Sequence, residues 1–163
     1  MIEAKKIEML KRVDCFRDIS SEHLEELGEI CQEVDFRGQT TIFEQYQLAK
    51  DVYVIVSGKV SLAICDQKNA CRQISVVGAG ELLGWSPLMG RPRLFDTART
   101  QTPVKAFVFD GSELLEYCKS HSEFGFEFMH RAAQALAQRL SDTTLRLLEL
   151  KGSHLPEFAI ESD

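Results

Sequence analysis

The apolar residues change their period twice along the chain. Over residues 2–12 they fall at helical spacing among charges, with Ile2, Met9 and Leu10 on either side of Lys5 and Lys6. Ser20 or Ser21 can cap a second helix, with Glu22 in its first turn and Leu24, Leu27, Ile30 and Cys31 on one stripe. From Glu33 to Val77 short β-prone runs take over: Val34–Phe36, Thr41–Phe43, Val52–Val56, Val60–Ile64 and Ile74–Val77. Turn signals at Arg37-Gly38, Ser57-Gly58 and Asp66–Asn69 separate them, and Gly58 supplies the positive φ of a tight turn. Two further strands are expected near Asp96–Gln101 and Val104–Phe109, closed by the turn signal Asp110-Gly111.

Helical period then returns. Ser112 is the expected cap of a short helix through Tyr117 and Cys118. A long helix runs from about Glu123 to Lys151, with Met129, Ala133, Leu136, Leu140 and Leu147 on one stripe and Ala132, Ala137 and Leu148 widening it. Gly152 is its stop, and residues 153–163 form a loose polar tail. The pattern predicts an α+β chain: an antiparallel β-roll, jelly-roll-like, with N-terminal helices over 1–33, the roll over 34–110, and hinge and C-terminal helices over 111–152. All of it is expected to form one domain over 1–163.

One segment breaks the strand rhythm. Between Gly80 and Asp110 the chain gathers three glycines, three prolines and three arginines. Ser86-Pro87 reads as a helix start, Pro87-Leu88-Met89 as a single turn, and Gly90 as its end. Such a turn has free amide hydrogens that can hold an anion, with Arg91, Arg93 and Arg99 following, and Gly84 permits close approach of a ligand. A corner that merely closes the roll, with surface arginines, fits the same residues.

Composition narrows the function classes. The chain has 163 residues and a net charge of −6, which speaks against a dedicated nucleic-acid binder. No apolar run reaches the roughly 20 residues of a membrane span. The start has no apolar core of a secretory signal, so a cytoplasmic location is expected. Cys15, Cys31, Cys65, Cys71 and Cys118 include no CxxC, and reduced thiols are the expectation, although Cys65 and Cys71 can face each other across a hairpin. His23, His121, His130 and His154 are scattered. No metal cluster, phosphate-binding motif or catalytic triad context is present, and Glu81 and Asp96 beside arginines read as ion-paired surface groups, so neither an enzyme nor a cofactor is expected.

The stretches FRGQTTIFEQYQLAKDVYVIVSGKVSLAI, VVGAGELLGW and TARTQTPVKAFVFD resemble the cyclic nucleotide-binding domain found in catabolite activator and Fnr-like sensors and in cyclic-nucleotide-gated channels. The resemblance covers about residues 15–150. It implies a β-roll with a one-turn cassette helix, an N-terminal helical bundle, and hinge and lid helices that also dimerise. It also implies departures. The family's cassette reads Gly-Glu, whose carboxylate meets the ribose; here the pair is Gly84-Trp85, and an indole donates but cannot accept. The family's phosphate arginine stands just before a small-residue pair, and here Leu94 and Phe95 occupy that place. Arg93 stands early and Arg99 late, and a one-residue slip turns a strand side chain to the other face. Tyr46 replaces a usual turn glycine. Trp85 either stacks a ring or plugs the vacant ribose place.

The resemblance implies a pocket over Leu83, Gly84, Trp85, Ser86, Arg93, Phe95 and Arg99. The expected function is a stand-alone regulatory or sensor module with weak or no cAMP binding, taking another small anionic ligand. The alternative is a ligand-free scaffold that holds an unidentified protein partner. A homodimer through the C-terminal helix is expected. Direct DNA binding is not, because the dozen residues after Lys151 are too few for a helix-turn-helix.

Overall fold

A computed structural model describes residues 2–160. Its elements run α1 (Ile2–Lys11), a 3-10 turn at Asp14–Phe16, α2 (Ser21–Ile30), β1 (Cys31–Phe36), β2 (Thr41–Phe43), β3 (Asp51–Ser57), β4 (Val60–Cys65) and β5 (Cys71–Val77). There follow β6 (Leu82–Leu83), β7 (Thr97–Thr100), β8 (Val104–Asp110), α3 (Gly111–Ser120), α4 (Ser122–Lys151) and a 3-10 turn at Gly152–His154. The strands form two antiparallel four-stranded sheets, ordered β1-β8-β3-β6 and β2-β7-β4-β5. This is the α+β β-roll that the apolar pattern predicts. No helix among the described residues is long and apolar enough to cross a membrane.

The central strands β3 and β8 of the first sheet are buried on both faces, and strand alternation sorts their side chains. Val52, Val54, Phe107 and Phe109 face the helices, joining Leu10, Phe16, Leu24, Leu27, Leu114, Phe124 and Phe128 in one core. Phe16 is the centre of that packing, with ring centroids 5.9 Å from Phe109 and 5.7 Å from Phe128. Ile55, Val104 and Ala106 face the other way, into the interior of the roll, with Phe43, Val60, Leu62, Val77, Leu83, Leu94 and Ala98.

Several boundaries differ from the sequence reading. β1 begins at Cys31 because α2 passes straight into it; the Cys31 N–H still donates to the Leu27 carbonyl, and Lys6 Nζ donates to the Gly28 and Cys31 carbonyls. β6 was not expected, since two residues are too few to show a period. Ser20 caps α2, its hydroxyl accepting from the His23 N–H. α3 is capped by Asp110 rather than Ser112: its carboxylate accepts from the Glu113 N–H at 3.0 Å. Cys65 and Cys71 are not reduced thiols. The five-residue loop sets them directly opposite in the β4–β5 register, and they form a disulfide.

The contacts divide the chain into two compact units, one through Ala132 and one from Ala133 onward. In the first unit α4 buries Phe124, Gly125, Phe128 and Ala132, a turn ahead of the expected stripe. In the second, Leu140, Leu147, Leu148 and Leu150 are exposed. Of the expected tail, residues 156–160 have no regular structure, and residues 161–163 lie outside the described residues.

Candidate functional site

The segment from β6 to β7 divides the two cores. β6 pairs with β3, placing Leu82 opposite Val54 and Leu83 opposite Tyr53. Alternation then sends Leu82 to the helical core and Leu83 to the roll interior. Gly84 follows at φ +72°, and a Cβ there would lie 2.8 Å from the Asp51 carbonyl oxygen. Glycine is required by this turn against β3, whether or not a ligand ever approaches it.

Residues 86–90 are tight turns rather than a helix. Leu88 N–H donates to the Trp85 carbonyl, and Met89 N–H and Arg91 N–H both donate to the Ser86 carbonyl. The amides of Leu88, Met89 and Arg91 are thus satisfied within the turn itself, where the sequence reading expects the turn's amides to be free for an anion. Pro87 packs against Gly111, where a Cβ would lie 2.3 Å from the proline Cβ. Gly111 N–H donates to the Lys50 carbonyl at 2.8 Å. The start of α3 therefore rests on this corner.

Trp85 and Leu88 pack with the helical core, not the roll interior. The indole Nε1 is buried and has no hydrogen-bond partner among the described residues. A buried unmatched donor costs roughly 1–3 kcal/mol.

Beyond Arg91 the chain forms a short ribbon with the loop after β2. Tyr46 N–H donates to the Leu94 carbonyl, Leu94 N–H to the Gln47 carbonyl, and Ala49 N–H to the Pro92 carbonyl, each at 2.9 Å. Leu94 thereby enters the roll interior, 5% exposed, among Phe43, Leu62, Leu83 and Ala98. Arg93 points the other way; it is exposed, and its Nη1 donates to the Tyr46 carbonyl at 2.9 Å. Phe95 is 62% exposed. Arg99 is exposed on β7 between buried Ala98 and Thr100, so it faces outward, opposite Ser61. Tyr46 holds φ +69°, the left-handed conformation that the expected glycine would take without strain.

The seven residues named from the sequence are therefore not gathered in one concavity. Leu83 lines the roll interior, Gly84 turns against β3, Trp85 packs toward the helices, and Ser86 is buried at the corner. Arg93, Phe95 and Arg99 are at the surface, with Arg99 on a different face. Sequence reasoning did not find the loop Glu44–Gln47 that holds this ribbon. Its one signal was Tyr46 in a glycine's place.

A second polar cluster joins α2 to the α3–α4 corner. Tyr117 Oη donates to Glu26 at 2.8 Å and lies 2.8 Å from His23 Nδ1; His121 Nε2 is 3.3 Å from the same Glu26 carboxylate. Burial, the bond to Glu26 and the charges of Glu26 and Glu22 push the Tyr117 hydroxyl well above the usual tyrosine range.

Residues 33–121 match the cyclic nucleotide-binding domain family. The CRP-like cAMP-activated global transcriptional regulator of Mycobacterium tuberculosis is 24% identical over 149 residues, 91% of this chain. The chain spans 65% of that relative's length. Among solved structures, a cyclic nucleotide-binding domain from Methylobacillus flagellatus superposes with TM-score 0.78 at 18% identity, covering 97% of this chain and 87% of that one. The c-di-GMP responsive global regulator CLP of Xanthomonas campestris gives TM-score 0.73 at 20% identity, covering 80% and 64%. With more than half of its residues matched, a roll that positions a corner between two cores, and helices stacked on one sheet, the chain belongs to the cyclic nucleotide-binding domain family.

Proposed function

We propose that the chain is a non-enzymatic regulatory module of the cytoplasm in which cAMP binds weakly or not at all and a different small anionic ligand is sensed. The observation that carries this reading is Leu94. Where the family resemblance calls for an inward arginine, an apolar side chain fills the roll interior, and the neighbouring Arg93 is turned outward onto the Tyr46 carbonyl. Each bond from a charged group to a ligand is worth roughly 1.5–3 kcal/mol. Loss of both the ribose carboxylate and the phosphate arginine, at about 1.4 kcal/mol per tenfold, moves a micromolar site to millimolar or beyond.

The regulatory half of the reading rests on the corner. Trp85 and Leu88 belong to the helical core, and Pro87 abuts Gly111 at the start of α3, so a ligand that shifts the corner acts directly on the packing of α3. Exposed Arg91 and Arg93, in a chain of net charge −6, are the local attraction for an anion. That same net charge suits a duplex backbone poorly, and the reading includes no direct DNA contact. It does include a homodimer through the second half of α4, whose leucines are exposed.

The test uses Trp85, the chain's one tryptophan, as reporter. Fluorescence titration and calorimetry with cAMP are expected to show no saturation below millimolar concentration. A panel of other nucleotides and phosphorylated metabolites is expected to yield at least one saturable change. Micromolar cAMP binding overturns the reading, and silence across the whole panel turns it toward a scaffold.

A further inference from the structure

Cys65 and Cys71 cross-link the β4–β5 hairpin at its loop end, bracketing an exposed loop over residues 66–70. β5 is the edge of its sheet, so β4 is its sole strand partner there. Cys71 is exposed and reachable by a thiol from solvent, whereas Cys15, Cys31 and Cys118 are buried. Burial also pushes the Cys15 thiol up to about 12 and the Cys118 thiol to about 11, which keeps both protonated and unreactive.

The disulfide is tied to the ribbon that holds Leu94. Cys65 N–H donates to Gln45 Oε1 at 2.7 Å. Gln45 sits in the loop Glu44–Gln47, and its own N–H donates to Thr97 Oγ1 at 3.0 Å. From the same loop, Tyr46 and Gln47 make the backbone bonds to Leu94, and the Tyr46 carbonyl accepts from Arg93. Tyr46 holds an unfavourable positive φ that only these surrounding bonds maintain. A cross-link that pins the Cys65 amide therefore pins the loop, and the loop pins Leu94.

We propose that Cys65 and Cys71 are a thiol–disulfide exchange site for a dithiol reductant, and that its redox state sets how firmly Leu94 is held in the roll interior. In the exchange, one thiolate of the reductant attacks the exposed Cys71 sulfur. The Cys65 sulfur leaves as a thiolate and takes up a proton. The reductant's second thiol then attacks the mixed disulfide, closing the reductant's own disulfide and releasing Cys71 as a thiol. Two electrons pass from the reductant to the protein pair. The loop end of the hairpin is then held by its backbone bonds alone and opens more often, and Cys65 N–H leaves Gln45. In the cytoplasm, the location on which this step rests through the function proposed above, a disulfide is more often such a device than a permanent staple.

The test contains no nucleotide, so its outcome is independent of the function proposed above. The full chain is equilibrated with oxidised or reduced dithiothreitol and alkylated in the native state, and labelled cysteines are located by mass spectrometry. Only Cys65 and Cys71 are expected to be labelled, and only after reduction. Amide hydrogen exchange is read in parallel. Reduction is expected to speed exchange at Tyr46, Ala49 and Leu94 by about tenfold while Phe107 and Phe109 in the two-sided sheet stay slow. Gln45→Ala is expected to give the fast rate in both redox states with the disulfide intact. The proposal is overturned if native Cys65 and Cys71 are alkylated without reduction. It is equally overturned if ribbon exchange is unchanged on reduction, or if every amide quickens alike, which signals global unfolding. Cys65→Ser/Cys71→Ser is expected to match the reduced protein. Should that variant fail to fold, the wild-type comparison alone decides.

Discussion

Leu94 bears most of the functional argument, and its environment makes a sharp prediction. It is enclosed by apolar side chains of both sheets, so Leu94→Arg puts a guanidinium there without a partner. An uncompensated buried charge costs about 3–5 kcal/mol. In a chain of this length that lowers the melting temperature by on the order of 10 °C. An anion that reaches the guanidinium should restore part of the loss through mass action. Thermal melts of Leu94→Arg are therefore expected to rise with cAMP concentration while those of the parent do not. A variant that cAMP fails to stabilise would show that the Leu94 position and the family's phosphate position differ. The neighbouring arginines were ambiguous in the sequence for a physical reason. Arg91, Arg93 and Arg99 follow a corner that contains no period, and without the register of β7 the face of Arg99 was open.

At the scale of elements, the polar cluster between α2 and the α3–α4 corner gives a pH dependence with a definite sign. The Tyr117 hydroxyl is pushed above its ordinary value of 10 in the folded chain. Once the pH exceeds that value, the unfolded chain loses this proton and the folded chain keeps it. The stabilisation is thus complete below pH 10 and is lost as the pH climbs from there toward the folded value. Tyr117→Phe is expected to cost about 1 kcal/mol at neutral pH through the lost bond to Glu26. It should also make the decline of stability above pH 10 shallower, leaving the share from the raised thiols of Cys15, Cys31 and Cys118. Urea unfolding across that range measures both; equal slopes in the two proteins would count against the assigned cause. The longer elements were legible because each has a strong local signal. α2 has a serine cap and a four-residue stripe, β3 holds the apolar run Val52–Val56, and β8 is apolar from Val104 to Phe109 apart from Lys105. β6 and the Pro92–Leu94 ribbon were not legible. Two or three residues show no period, and their conformation is set by partners 30 residues away at Tyr53 and 48 away at Tyr46.

For the whole molecule, the question is what covers the second half of α4. From Ala133 the residues Leu136, Leu140, Thr143, Leu147 and Leu150 follow one another at spacings of three and four, a seam suited to a second helix of the same kind. Within its own unit the helix leaves Leu140 68% and Leu150 69% exposed. A leucine fully buried on association contributes roughly 1.5–3 kcal/mol, and most of a helix's stability comes from packing its apolar face. Pairing of two chains along this seam accounts for both the spacing and the exposure. Leu140→Glu/Leu147→Glu places two carboxylates in the seam, each facing its twin. Sedimentation equilibrium is expected to find the parent dimeric and the double variant monomeric, with helical circular dichroism reduced and Trp85 fluorescence unchanged, because Trp85 reports the other unit. A parent that sediments as a monomer at tens of micromolar removes the dimer from the proposal. The roll, the corner and the place of Leu94 would stand untouched, since none of them draws on residues beyond Ala132.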